Sequence, residues 1–392
     1  MASTIVACGG GERQPTFAVR DSAGVAIVES AHPAWPHGAG WHLSPQPVLR
    51  IGSVEGDTAY QFSSIRSALR LSDGRIAVVS TAQHGVRFYD STGRFLRQVG
   101  RAGGGPGEFQ GVPMLQRWRG DSLMAFDGRS RSASIVSPTG AIQTVVVLEK
   151  GTAGWIGRLS DGSYLVSIGG FSPVMDTIPD YRMPTPIRHV DSAGALIDTV
   201  GVFPGVEFQI TGQGRGAMVG IAPFARYLAT AIVGDVLVVG TQESPEVDEY
   251  RADGQLLRRI RFATGDRTMT DSLKAAHREH YLSFAGAGDN PSQRQMLEAI
   301  FRAQSYPAEV PPYGQVLVDD AGDLWLADYE ERVVGPDPGH WTVIDRTGRL
   351  LGAVAMPERF LPLDIAGGYV VGRWKDDLDV EYVVVYRLET GR

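Results

Sequence analysis

The stretch LRLSDGRIAVVSTAQHGVRFYDSTGRFLRQVG, residues 69–100, reads as an apolar run, an Asp-Gly turn, a β-branched run, a polar loop, an alternating run, a polar-glycine turn and a final alternating run. Four short runs punctuated in this way describe a four-stranded antiparallel meander. The same order returns at 118–148, at 159–170 with its continuation at 187–201, at 232–262, at 318–331 with its continuation at 340–354, and at 365–391. Gly74, Gly120, Gly162, Gly234, Gly322 and Gly367 mark one turn in each unit, about 42–46 residues apart where nothing is inserted, which is the length of a propeller blade. The sequence therefore predicts an all-β fold, a six-bladed β-propeller, over residues 17–392.

A propeller must close, because an open ring leaves an unpaired strand edge. The last unit offers strands near 361–366, 368–373 and 380–387, and then no outer strand. PVLRIG (47–52) matches FLRQVG (95–100) and precedes a similar connection, so it is expected to supply the missing strand beside 380–387. The hairpin FAVRDSAGVAIVES (17–30) is expected to pack outside that clasp.

The glycine-rich VGRAGGGPGEF (99–109) invites a phosphate-loop reading that fails on its mechanics. Glu108 stands where a third fingerprint glycine would be needed, Pro106 removes an amide donor, and no helical period follows. The stretch is read as a blade-to-blade connection. A net charge of -7 disfavours nucleic acid as a partner, since no excess of cations exists to neutralise phosphates. No window of 18 apolar residues is available to span a membrane as a helix.

The single cysteine, Cys8, rules out an internal disulfide and any zinc site built on two thiolates. In IVACGG, Ile5 and Ala7 precede it as in a bacterial lipobox, although MASTIVA is short for a signal. Residues 1–16 are accordingly expected to be a leader and tether, with Cys8 lipidated and the domain held outside the cytoplasm at a membrane.

The succession LSDGRIAVV, GRFLRQVGRAGGGPGEF, YGQVLVDDAGDLWLADY, WTVIDRTGRLLG and VEYVVVYRL resembles the bacterial extracytoplasmic six-bladed propeller family related to NHL and TolB-type propellers. The resemblance runs through nearly the whole chain beyond residue 17. It implies the fold and little about chemistry, because propellers host binders and enzymes alike.

Turns between first and second and between third and fourth strands are short throughout. The other end of each blade carries every insertion: 169–186, 203–223, 263–312 and 328–340. Segment 263–312, between the fourth and fifth units, holds two helical patterns. One is capped at Thr270 or Asp271, with Leu273, Ala276, His280 and Leu282 near one stripe; the other carries Met296, Leu297, Ile300 and Phe301. Loops on a rigid scaffold carry function. Tyr181, Arg182, Tyr329, Arg373 and Trp374 are the candidate anchors for a protein partner in the cell envelope, by the preference of interfaces for aromatic residues and arginine.

No catalytic set is complete. His277 and His280 are spaced for one helix face but lack an evident third ligand. Six-bladed lactonases gather a Glu, an Asn and an Asp at the channel mouth, whereas Asn290 is the only asparagine here and lies in the helical insertion, leaving Glu108, Asp127 and Asp328 as acids. Arg66, Arg117, Arg158 and Arg226 are read as a possible cationic channel lining. The reading reached is a non-catalytic scaffold or interaction subunit without metal or cofactor. A metal-dependent lactonase, hydrolase or lyase is the alternative.

Overall fold

The punctuating turns build the sheets by a local device. In the third turn of three units an aspartate carboxylate accepts backbone amides two and four residues on: Asp90 from Thr92 and Arg94, Asp191 from Ala193 and Ala195, Asp345 from Thr347 and Arg349, all at 2.8–3.0 Å. The glycine three residues after each acid adopts φ of 86–89°, a conformation that a side chain would strain. Each turn thus fixes its hairpin without tertiary help.

The computed structural model describes residues 16–36, 38–169, 180–211, 218–284, 290–330, 339–389 and 391. Among them the strands form six sheets. Sheet one comprises Ile65–Arg70, Ile76–Ser80, Val86–Tyr89 and Phe95–Val99, and sheet two Met114–Arg117, Leu123–Asp127, Ser132–Val136 and Ile142–Val147. Sheet three begins at Thr152–Arg158, sheet four at Ala229–Val233, sheet five at Val316–Val318 and sheet six at Phe360–Ala366. These six first strands line one channel of about 580 Å³. An apolar cluster fills each gap between successive sheets, including the gap between sheets six and one, where Ile51, Ile65, Val78, Val371 and Val383 meet. Sheets packed face to face around a central channel define a β-propeller.

The ring is closed by the strand expected from the sequence: Leu49–Ile51 pairs antiparallel with residues 383–385, and His42–Leu43 extends the contact to Leu388 and Glu389. The hairpin 17–30 departs from expectation. It does not pack on the clasp; Val25–Ser30 instead pairs in parallel with Leu256–Phe262 at the outer edge of sheet four. A charge ladder accompanies the pairing, running Arg20–Glu29–Arg261–Glu246 at 3.1–3.4 Å, with Arg259–Asp248 at 2.7 Å and Arg258–Glu249 at 2.8 Å inside sheet four, while Val28 joins the apolar cluster of Ile260. Between hairpin and clasp the chain straps across sheet five. The amides of Ala34 and Trp35 donate to Leu350 and Leu351, the Trp35 ring fills the space over Gly352, and Trp41 sits between Trp35 and Trp325. Residues 17–51 therefore belt sheets four, five and six.

A second departure concerns 203–223, expected as a loop. Leu196–Thr211 is one continuous strand paired with Asp180–Val190, and Met218–Ile221 adds to its far end. Pro184 and Pro204 face each other at a shift in register, where lost ladder donors are tolerated.

At the short-turn end, side chains staple one sheet to the next. Asp121 accepts from the Ser72 amide at 3.0 Å, Asp235 from that of Ser160 at 2.7 Å, Asp320 from that of Gly367 at 2.8 Å and Asp364 from that of Arg70 at 3.2 Å. Helices α1 (Asp271–Phe284) and α2 (Pro291–Ala303) stand at the opposite end. Thr270 and Asn290 cap them by accepting from Leu273 and Gln293. The stripe expected on α1 is displaced: Leu273, Ala276 and His280 are exposed, while His277 and Leu282 are buried.

Candidate functional site

The insertions of sheets three, four and five meet at one end and hold one another. Gln209, on the extended strand, donates to the Ser305 carbonyl at 3.2 Å and so ties sheet three to the helical insertion. The Tyr329 hydroxyl, beyond the second strand of sheet five, donates to the Ala225 carbonyl at 2.8 Å. Glu207 takes Arg226 through two side-chain bonds and its amide; burial would raise this carboxyl, but Arg226 holds it low. Between them Phe224 sits at φ 52°, a costly conformation for a bulky residue, with its ring against His277, Tyr306 and Tyr329.

The candidate anchors divide between two neighbourhoods. Tyr181 and Arg182 lie on the extended hairpin of sheet three. The Arg182 guanidinium donates to the carbonyls of Pro204, Gly205 and Thr241 at 2.7–3.0 Å and reaches Glu243, so it shapes this surface from within. Tyr329 shares that neighbourhood through Ala225 and Phe224. Arg373 and Trp374 belong to sheet six: Trp374 packs on Tyr382, Arg50 of the closing strand covers both rings at 4.6 and 3.8 Å, and Arg373 lies 3.8 Å from Glu381. Cys8 lies outside the described residues.

A cleft of about 630 Å³ opens between the two legs of the helical insertion and sheet five. Asp328, Tyr329, Glu330, Arg267, Tyr313 and Thr342 are among its walls. Asp328 is half exposed, with its carboxylate 3.4 Å from His340 Nδ1, and partial burial pushes it up despite that imidazole. Glu330 is pushed up to about 7 by burial and by the charge of Asp328. No local pattern distinguishes Asp328 from an ordinary strand-end acid, because LWLAD and LMAFD read alike.

The channel carries mixed charge rather than the expected cationic lining. Arg117 pairs with buried Asp364, its Nε at 3.0 Å, and Arg158 stacks 4.2 Å over Trp118. Arg226 does not line the channel, being bound to Glu207. His277 and His280 do not converge: His277 Nδ1 is 3.1 Å from the Tyr306 hydroxyl and His280 faces solvent. Among the described residues no three His, Cys, Asp or Glu side chains gather for a metal. Glu108 is consumed within its own loop, by the Gly105 amide and Arg101, so 99–109 is a self-bonded connection.

No protein-family model matches the chain. No curated protein matches it in sequence. Among solved structures, a member of the DUF4221 family from Bacteroides vulgatus is similar with a TM-score of 0.51 and 10% identity, covering 90% of this chain and 99% of that one. A candidate exported protein from Bacteroides fragilis gives 0.49 and 14%, covering 93% and 99%. A gluconolactonase from Xanthomonas campestris gives 0.43 and 11%, covering 88% and 100%. At such identities the likeness concerns fold alone. Among the described residues no helix is long and apolar enough to cross a membrane.

Proposed function

We propose that this chain is a six-bladed extracytoplasmic propeller that works by binding, presenting its insertion-bearing end to a protein partner in the cell envelope, with Cys8 as a lipid anchor. The observation that carries the reading is the asymmetry of the two ends. One is sealed by short turns and aspartate staples. On the other, the long hairpin of sheet three, the helical pair and Tyr329 are mutually bonded into one surface. Tyr181, Arg182 and Tyr329 form its nearer anchor group, and Arg373 with Trp374 a second group on sheet six. Metal-dependent lactone or ester hydrolysis is the competing reading, favoured by the desolvated Asp328 and Glu330 beside a cleft.

The test is affinity capture of the full-length chain from gently solubilised native membranes, beside a metal-supplemented lactone and ester screen. The expected result is a stoichiometric partner whose recovery falls at least tenfold with Tyr181→Ala combined with Tyr329→Phe and is unchanged by Asp73→Ala at the short-turn end. A solitary monomer with metal-dependent turnover abolished by Asp328→Asn would overturn it.

A further inference from the structure

Helices α1 and α2 are thinly attached. Of their described side chains, His277, Leu282 and Phe301 are buried, while Leu273 and Met296 are 39% and 58% exposed. Arg278–Glu298 and Arg294–Glu279, each at 3.3 Å, and the packing of Leu282 with Phe301 join the helices to one another. One attachment to the propeller is made by the His277 ring. Its centroid lies 5.4 Å from that of Phe224, on the connection between sheets three and four, and 5.6 Å from that of Tyr306, on the return leg of the insertion. Phe301 from α2, at 6.0 Å, and Tyr281 from α1, at 6.3 Å, complete the enclosure.

We propose that the helices Asp271–Phe284 and Pro291–Ala303 form a flap pinned by neutral His277, and that protonation of this imidazole releases the flap and bares Phe224 and Tyr306 on the insertion-bearing end.

Four segments contribute the groups around the imidazole. From α1 the ionisable neighbours are His280, a like charge when protonated, and Tyr281. The return leg offers the Tyr306 hydroxyl, α2 offers the Phe301 ring, and the connection offers Phe224. The nearest cation on that connection, Arg226, is engaged by Glu207. Burial and His280 both push His277 below its usual 6.5. A group that binds protons more readily when released stabilises the docked state fully above its released value, and loses that contribution as pH falls through 6.5 toward the docked value. The positive φ of Phe224 and the buried Gln304 Oε1, which has no hydrogen-bond partner among the described residues, each cost the docked state some stability.

Hydrogen exchange on the full chain, corrected for intrinsic rates, tests this between about pH 7.5 and about pH 5.0. Peptides within 271–284 and 291–303 should lose at least about tenfold protection, while sheet peptides hold theirs. His277→Phe keeps an aromatic ring that cannot be protonated and should flatten the response to within about twofold. Should that variant lose protection in its sheets as well, ring-labelled NMR titration of the wild type decides. A His277 midpoint below 6.5 supports the switch, and a midpoint at or above it overturns the switch. Wild-type protection that ignores pH, or a His277→Phe response that tracks the wild type, also overturns it.

Discussion

Sheets two and five end their second strands alike, in LMAFD and LWLAD, yet the two acids live differently. Asp127 is 1% exposed and accepts the amides of Gln110, Gly111 and Arg129 at 2.7–3.1 Å. Burial alone would raise its carboxyl, but the amides outweigh it and hold the group low. Asp328 faces His340 and the cleft, and partial burial raises it. The difference follows the insertions. Where one sheet passes directly to the next, as from one to two, the connection folds back and brings its amides to the acid. Where residues 263–312 enter instead, the returning Gly314 amide donates to the Ala327 carbonyl at 2.8 Å and the Asp328 carboxylate turns to His340.

The coarsest way to break the comparison is to open the ring that both sheets share. Deleting residues 1–52 removes the hairpin, strap and closing strand together. The shortened chain is expected to aggregate, or to melt more than about 10 °C lower by calorimetry, an edge of sheet six being left unpaired. Next in size is Asp364→Ala, which strands Arg117 beside the channel; chemical denaturation should show a loss of about 3 kcal/mol.

Asp127→Ala removes the acceptor of three amides and should cost about 2 kcal/mol, whereas Asp328→Asn should change stability by less than about 0.5 kcal/mol. A similar loss at both positions would erase the distinction. The finest test is pH. The low carboxyl of Asp127 contributes stability that is complete above its ordinary 3.8 and disappears as pH falls through the folded value. Glu330 acts with opposite sign: the folded state holds its proton longer, so stability declines as pH rises from the ordinary 4.5 to about 7. Denaturation midpoints of Glu330→Gln should lose that decline between about pH 4.5 and about pH 7 and keep the acid limb.

The sheets were legible in the sequence because their turns are local: an aspartate, its following amides and a left-handed glycine form a unit within five residues, as at Asp90–Gly93. The closing strand was legible because Leu49–Ile51 repeats the pattern of an outer strand. The position of the hairpin was not, since it depends on Glu29 meeting Arg261 across most of the chain. The extension through Phe203, Pro204 and Gly205 was hidden by its own composition, proline and glycine being the usual marks of a loop. Of the candidate site, the crowded end could be read from loop lengths. Its internal bonds could not, because His277, Phe224 and Tyr306 come from segments whose mutual approach no local pattern encodes.

The belt of residues 17–51 also sets an order of events during synthesis. Its hairpin must wait for residues 256–262, and its closing strand for residues 383–385. A segment made before its partners is therefore the last to find them all, and such distant pairings form slowly. Until the final strand is complete, Leu49–Ile51 has no edge to join and sheet six has no outer strand. The closing strand thus stays unpaired for most of translation, a period in which residues 383–385 of a completed second copy could pair with it.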